Sequence, residues 1–131
     1  MNLGLVSCFN QRASNGYISN AFSVRDHNGT EILSNRDIKC VSLNESSDKN
    51  SNVLFTLSDI SSRFFHEYTK NNTGKILSIS ICGGTEQKPK IMSVIPNGKI
   101  AVPILDEHQI KCLKNSFTVN KPCSDCPACR N

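Results

Sequence analysis

An α+β fold built mainly on antiparallel sheet is what this sequence predicts, and three observations carry it. Short β-prone runs alternate with turn signals, one stretch has clear helical periodicity, and no repeat of fixed period runs through the chain. In order, YISNAFSVRD and TEIL flank His27-Asn28-Gly29, where Asn28 and Gly29 tolerate the positive φ of a tight hairpin. DIKCVSL is a further strand, NESSDKNSN reads as an exposed polar loop, and VLFTL is a strand leading into the clearest helix.

That helix is predicted over about 58–73, with Ser58 as N-cap, Asp59 at the positive helix start and Gly74 as the stop. Ile60, Phe64 and Tyr68 recur every four residues, and with Leu57 and Phe65 they predict the stripe that faces the core. KILSISIC alternates Leu77, Ile79 and Ile81 against serines, as a strand buried on one face does. Asn97-Gly98 between two apolar runs predicts a second hairpin. A short helix over about 106–114, capped by Asp106, and SFTV as a last strand complete the reading. Residues 1–119 are thus expected as one α+β domain, and 120–131 as a Cys-rich, metal-binding tail packed on or beside it.

Composition bounds the function. The chain has 131 residues, enough for one core, is 37% hydrophobic without Trp, and is rich in Asn, Ser and Lys. No stretch is apolar enough to span a membrane, and MNLGLVSCFNQRASNG lacks the basic and sustained apolar regions of a signal peptide. The expectation is therefore a cytoplasmic protein, in a host cell if of viral origin, with reduced thiols and no membrane partner. Seven cysteines, four of them (Cys8, Cys40, Cys82, Cys112) scattered singly, argue against a secreted disulfide scaffold. Asn28, Asn44 and Asn71 each open an N-x-[ST] pattern, which so Asn- and Ser-rich a chain supplies by chance.

The tail, NKPCSDCPACRN, carries the chemistry. Cys123, Cys126 and Cys129 repeat the C-x-x-C spacing that lets the backbone aim successive thiolates at one metal ion. A tetrahedral zinc needs a fourth ligand, and Cys112, or His108 one helical turn before it, is the candidate. An iron–sulfur cluster is the less favoured alternative, because none of the other cysteines precedes a proline as bacterial ferredoxin patterns require. Pro127 and the short remaining chain disfavour a thiol-redox helix after the motif. Lys111, Lys114, Lys121 and Arg130 make this end basic against Asp125 and so suit a protein or nucleic-acid partner.

Elsewhere, Cys82 before Gly83-Gly84 is placed where a strand exit can present a nucleophile, but no partner base is identifiable. His66 and Glu67 fall on the solvent side of the helix, and no phosphate-loop, dinucleotide or zinc-protease motif is present. NGKIAVPILDEHQIKCL resembles the G-[RK]-I-x-[IV]-P strand and short helix of swapped-hairpin transcription regulators of the AbrB type, with Gly98, Lys99, Ile100, Val102 and Pro103 at matching positions. That resemblance implies a dimeric DNA binder but leaves the first ninety residues unaccounted for.

The leading expectation is a non-enzymatic, zinc-binding interaction protein with a basic C-terminal surface. One alternative is a structural subunit of a viral, phage-like or mobile-element assembly, homo-oligomeric through its strand edges. The other is a thiol enzyme or redox protein using Cys82 or the tail.

Overall fold

The computed structural model describes residues 21–45, 51–84, 86–104 and 106–123. The elements run β1 (Phe22–Arg25), β2 (Glu31–Ser34), a 3-10 turn (Asn35–Asp37), β3 (Ile38–Asn44), β4 (Asn52–Leu57), α1 (Asp59–Asn71), β5 (Ser78–Ile81), β6 (Lys99–Pro103) and α2 (Glu107–Ser116). Two three-stranded antiparallel sheets result, in the orders β2-β1-β5 and β3-β4-β6. The fold is therefore α+β and mainly sheet, as the sequence predicts. The two sheets share one core: Phe22 on β1 and Phe55 on β4 meet with ring centroids 4.4 Å apart, and Phe117 closes on Phe55 from beyond α2.

The first hairpin forms where Asn28-Gly29 predicts it. Asp26 Oδ1 accepts from the Asn28 and Thr30 amides at 2.8 and 2.9 Å, and Gly29 sits at φ +84°, where a side chain is strained. β5 buries Leu77, Ile79 and Ile81 on one face, matching the alternation. The second hairpin does not form. Gly98 has its positive φ, but β6 pairs with β4, and the stretch before it runs along α1 instead of folding back as a strand. SFTV contributes only an isolated parallel bridge, Val119 to Val41, because Ser116 and Phe117 are buried at the end of α2.

Helix α1 begins as predicted, with the Ser61 amide donating to Ser58 Oγ at 3.2 Å. Its rotation differs from the prediction. The face turned inward is Ser61–Phe65–Thr69, while Ile60 is 74% exposed and Phe64 is 45% exposed. Both inward hydroxyls have fixed partners. Ser61 Oγ donates to Asp37 Oδ1 at 2.6 Å, and Thr69 Oγ1 accepts from the Ile95 amide at 3.0 Å while donating back to the Phe65 carbonyl. Asp37 also accepts the Ser58 amide on its carbonyl, so the 3-10 turn sets where α1 starts and which way it faces.

Three of the sheet edges are closed among the described residues. β3 is flanked by Asn120, whose amide donates to the Val41 carbonyl while its Oδ1 accepts from Leu43. β5 is flanked by Gln87, which exchanges two backbone bonds with Ile79. On β6, the bonds from Leu57 to Gly98 and from Ile104 to Ser51 show that the even-numbered residues face β4. The outward groups are therefore those of Lys99, Ala101 and Pro103. The Lys99 amide donates to Asn97 Oδ1, Pro103 has no N–H, and its carbonyl accepts from Gln87 Nε2 at 2.9 Å, which blunts the edge against strand addition. The strand-paired assembly expected as an alternative is left the outer edge of β2, and no comparison supports it.

Candidate functional site

The residues singled out for metal binding are not brought together. Cys112 is bonded to Cys82, and Cys123 to Cys40, so two of the four expected ligands are disulfide sulfurs with different partners. Cys126, Cys129 and Arg130 lie outside the described residues. His108 is exposed on α2, on the same side as Cys112, but that sulfur is committed elsewhere. Among the described residues no group of three or more His, Cys, Asp or Glu side chains can hold a metal ion. The zinc site and its iron–sulfur alternative are overturned by this pairing, and with them the reading of the protein as a zinc-organised interaction module.

The same bonds overturn the cytoplasmic expectation. Disulfides persist in oxidising surroundings, whereas reduced thiols are the rule in the cytoplasm. They also remove Cys82 as a free thiolate, and with it the thiol-enzyme alternative that used it. Oddness of count and scatter had argued against disulfides. Neither measures distance, and the fold places Cys40 and Cys123 with Cα atoms 5.3 Å apart across 83 residues.

Each bridge joins two segments far apart in sequence. Cys82 leaves β5 at φ +55° with Gly83 following at +72°, and this turn wraps onto α2, where Gln109 Nε2 donates to the Ile81 carbonyl at 3.3 Å. A Cβ at Gly84 would come within 2.8 Å of that Gln109 nitrogen, so the turn lies hard against the helix. Cys40 to Cys123 fastens the segment after α2 along β3, beside the Asn120 contacts. The basic surface is thinner than the sequence suggests: Lys114 is paired with Glu45 at 2.8 Å, leaving Lys111 and Lys121 exposed.

Of the stripe that sequence periodicity placed in the core, Leu57 and Phe65 are buried and Tyr68 packs against the core, but Ile60 and Phe64 are on the surface. Ile60 and Phe64 lie one turn apart on the outer side of α1, and Phe64 stacks on Tyr68 with centroids 6.1 Å apart. The extended stretch from Ile91 to Gly98 runs antiparallel to α1. It is tied at one end by the Gly74 amide to the Ile91 carbonyl, in the middle by Ile95 to Thr69, and at the other end by Gly98 packing onto Ser62. Ile91 faces inward, which leaves Met92 76% exposed, with Val94 on the outer side as well. Between helix and strap is a shallow groove lined by Ser62, Arg63, His66, Glu67 and Pro96. His66 Nδ1 lies 3.7 Å from Glu67 Oε2 on this solvated face. The Tyr68 hydroxyl is buried without a hydrogen-bond partner among the described residues. Burial, and secondarily the Asp26 carboxylate, push it above its ordinary value of 10.0.

Fold and site thus define a small two-sheet α+β domain, stapled by disulfides, with Ile60 and Phe64 on an exposed helix face and a strap tied to the same helix through Ser62 and Thr69. No family model matches the sequence, and no curated protein matches it either. Among solved structures, one of SecDF, described as a membrane component that enhances protein export, matches 72% of this chain with a TM-score of 0.54 at 22% identity. A second, SecDF in its super-membrane-facing form, matches 72% with a TM-score of 0.56 at 21% identity. The chain spans 44% and 13% of those two proteins' lengths. At these identities the likeness is one of fold, and the AbrB-type resemblance finds no support in a β6 that pairs with β4. No helix among the described residues is long and apolar enough to cross a membrane.

Proposed function

We propose that this chain is an extracytoplasmic, non-enzymatic binding domain that holds extended, unfolded segments of exported polypeptide through the exposed apolar face of α1 formed by Ile60 and Phe64. The observation that carries the reading is the placement of Ile60 and Phe64 outside the core, on a helix whose inward hydroxyls fix its rotation. Apolar side chains held in that position at the expense of burial are what a surface for apolar segments requires. The fold likeness to SecDF supplies the class of partner, and the two disulfides support a location beyond the reducing cytoplasm. This replaces the expectation that a membrane-linked role is excluded.

The test titrates the purified, oxidised domain into a fluorescently labelled exported polypeptide, kept unfolded by reduction and alkylation, and separately into its folded form. Saturable binding to the unfolded form alone, weakened at least ~5-fold in Phe64→Ser and unchanged in Lys111→Ala, is expected for loss of one buried aromatic contact. Equal binding to both forms, or full binding by Phe64→Ser, would sink the reading.

A further inference from the structure

We propose that the ribbon formed by residues 74–79 and 87–92 docks on the surface of an anionic phospholipid membrane, with Ile76 and Met92 entering the apolar boundary and Lys88 and Lys90 meeting the lipid phosphates. These side chains are different from those of the polypeptide-binding face, so the inference needs nothing from that reading.

The backbone fixes which side chains share this surface. The Ile91 amide donates to the Lys75 carbonyl at 2.8 Å and the Leu77 amide to the Pro89 carbonyl at 2.9 Å. Ile76 and Lys90 therefore stand directly opposite each other between two hydrogen bonds, where side chains on one face come closest. Leu77 and Ile91, on the other face, are buried. Alternation then turns Lys88, Lys90 and Met92 outward together with Ile76, and all four are exposed. Val94 extends the apolar part of the patch.

Charge selects the occupant. Over 74–79 and 86–94 the chain carries Lys75, Lys88 and Lys90 against one carboxylate, Glu86, which faces Arg25 at 4.0 Å. None of the three lysines has an ion-pair partner among the described residues. Apolar side chains flanked by cations match a bilayer surface, where lysine stems lie along apolar neighbours and the ammonium groups meet phosphate. A nucleic-acid strand needs aromatic faces for its bases, and these two segments hold none. An apolar polypeptide segment uses Met92 and has no use for three cations, which makes it the competing outcome of the test. The placement leaves both surfaces usable. The ribbon meets α1 beyond its last turn, through the Gly74 amide to the Ile91 carbonyl, whereas Ile60 is at its first turn. A helix of thirteen residues separates the two by about 20 Å.

The experiment sediments the oxidised full chain with vesicles of phosphatidylcholine alone and with vesicles containing about 30% phosphatidylglycerol, at low and at physiological salt. Because the chain has no tryptophan, Met92→Trp supplies a reporter of insertion. The expected result is binding to the anionic vesicles only, weakening as salt rises, with a blue shift of the Met92→Trp emission. Lys88→Ala/Lys90→Ala should lose at least ~10-fold and Met92→Ser at least ~5-fold in affinity, with melting temperatures unchanged. Phe64→Ser should bind vesicles as the wild type does, which separates failure of the proposed function from failure here. Absence of vesicle binding, equal binding to both compositions, or full binding by Met92→Ser overturns the proposal. So does a Met92→Ser variant that loses unfolded polypeptide but keeps the vesicles, because the ribbon then belongs to the polypeptide surface.

Discussion

Cys82 at the exit of β5 and Cys112 on α2 are joined across 30 residues with Cα atoms 6.1 Å apart, a covalent tie between the second helix and the first sheet. Gln109, one turn earlier on the same helix face, adds a hydrogen bond to Ile81 and is itself almost fully buried. The bond and this polar contact add to the apolar packing of Leu113 and Phe117 in the common core. Chain-entropy arguments assign a loop of this length about 3.6 kcal/mol of stabilisation. We expect Cys82→Ser/Cys112→Ser to lose about that much in urea unfolding without reductant, and excess dithiothreitol to lower the wild type further by also opening Cys40–Cys123. A double variant as stable as the wild type would show that the bridge is dispensable.

Phe64 and its sequence neighbour Phe65 should behave oppositely. Phe65 is 1% exposed, and Phe65→Ala should cost about 3–5 kcal/mol through the cavity it leaves. Phe64→Ser removes only partly buried surface and should change folding stability by less than about 1 kcal/mol. Thermal melts of the two variants side by side check this. A reversal of the order would restore the core-facing stripe that periodicity predicts and remove the candidate site.

The Tyr68 hydroxyl offers a pH test. Its proton is held more tightly in the folded state than in the unfolded chain, so this group's contribution is fully present below pH 10 and falls as the pH rises above it. Tyr68→Phe removes a buried hydroxyl with no partner among the described residues, and should be neutral or raise stability by up to about 1 kcal/mol at pH 7. Between pH 10 and 11 the advantage of the variant over the wild type should grow. Chemical unfolding of both proteins across that range reads the difference directly.

Gly98 tests the strap. Its φ of +65° is costly for any side chain, and a Cβ there would run into Ser62 Oγ and lie 2.7 Å from Ser62 Cβ on α1. Gly98→Ala should therefore cost more than about 1 kcal/mol. The equivalent change at Gly29, also at positive φ but with open space around it, should cost less. Equal melting temperatures for the two variants would mean that the strap does not press on the helix.

The sequence by itself determined what depends on near neighbours. The Asn28-Gly29 hairpin, the Ser58 and Asp106 caps, the alternation of β5 and the mainly antiparallel α+β class all follow from residues a few positions apart. Tertiary structure decided everything that rests on distance. Counting apolar residues put Ile60 and Phe64 inside together with Phe65 and Tyr68, and only the latter two pack on the core. Ser61 and Thr69 nevertheless hold the inward face, because Asp37, 24 residues earlier, and Ile95, 26 later, satisfy their hydroxyls. Asn97-Gly98 makes its turn, but β4 competes successfully for β6, so no hairpin forms. Cys112 and Cys123 read as ligands because spacing along the chain is visible in a sequence. That Cys82 and Cys40 would arrive beside them is a property of the folded sheets, and it moved the reading from a metal knot in a reducing cell to a stapled domain outside the cytoplasm.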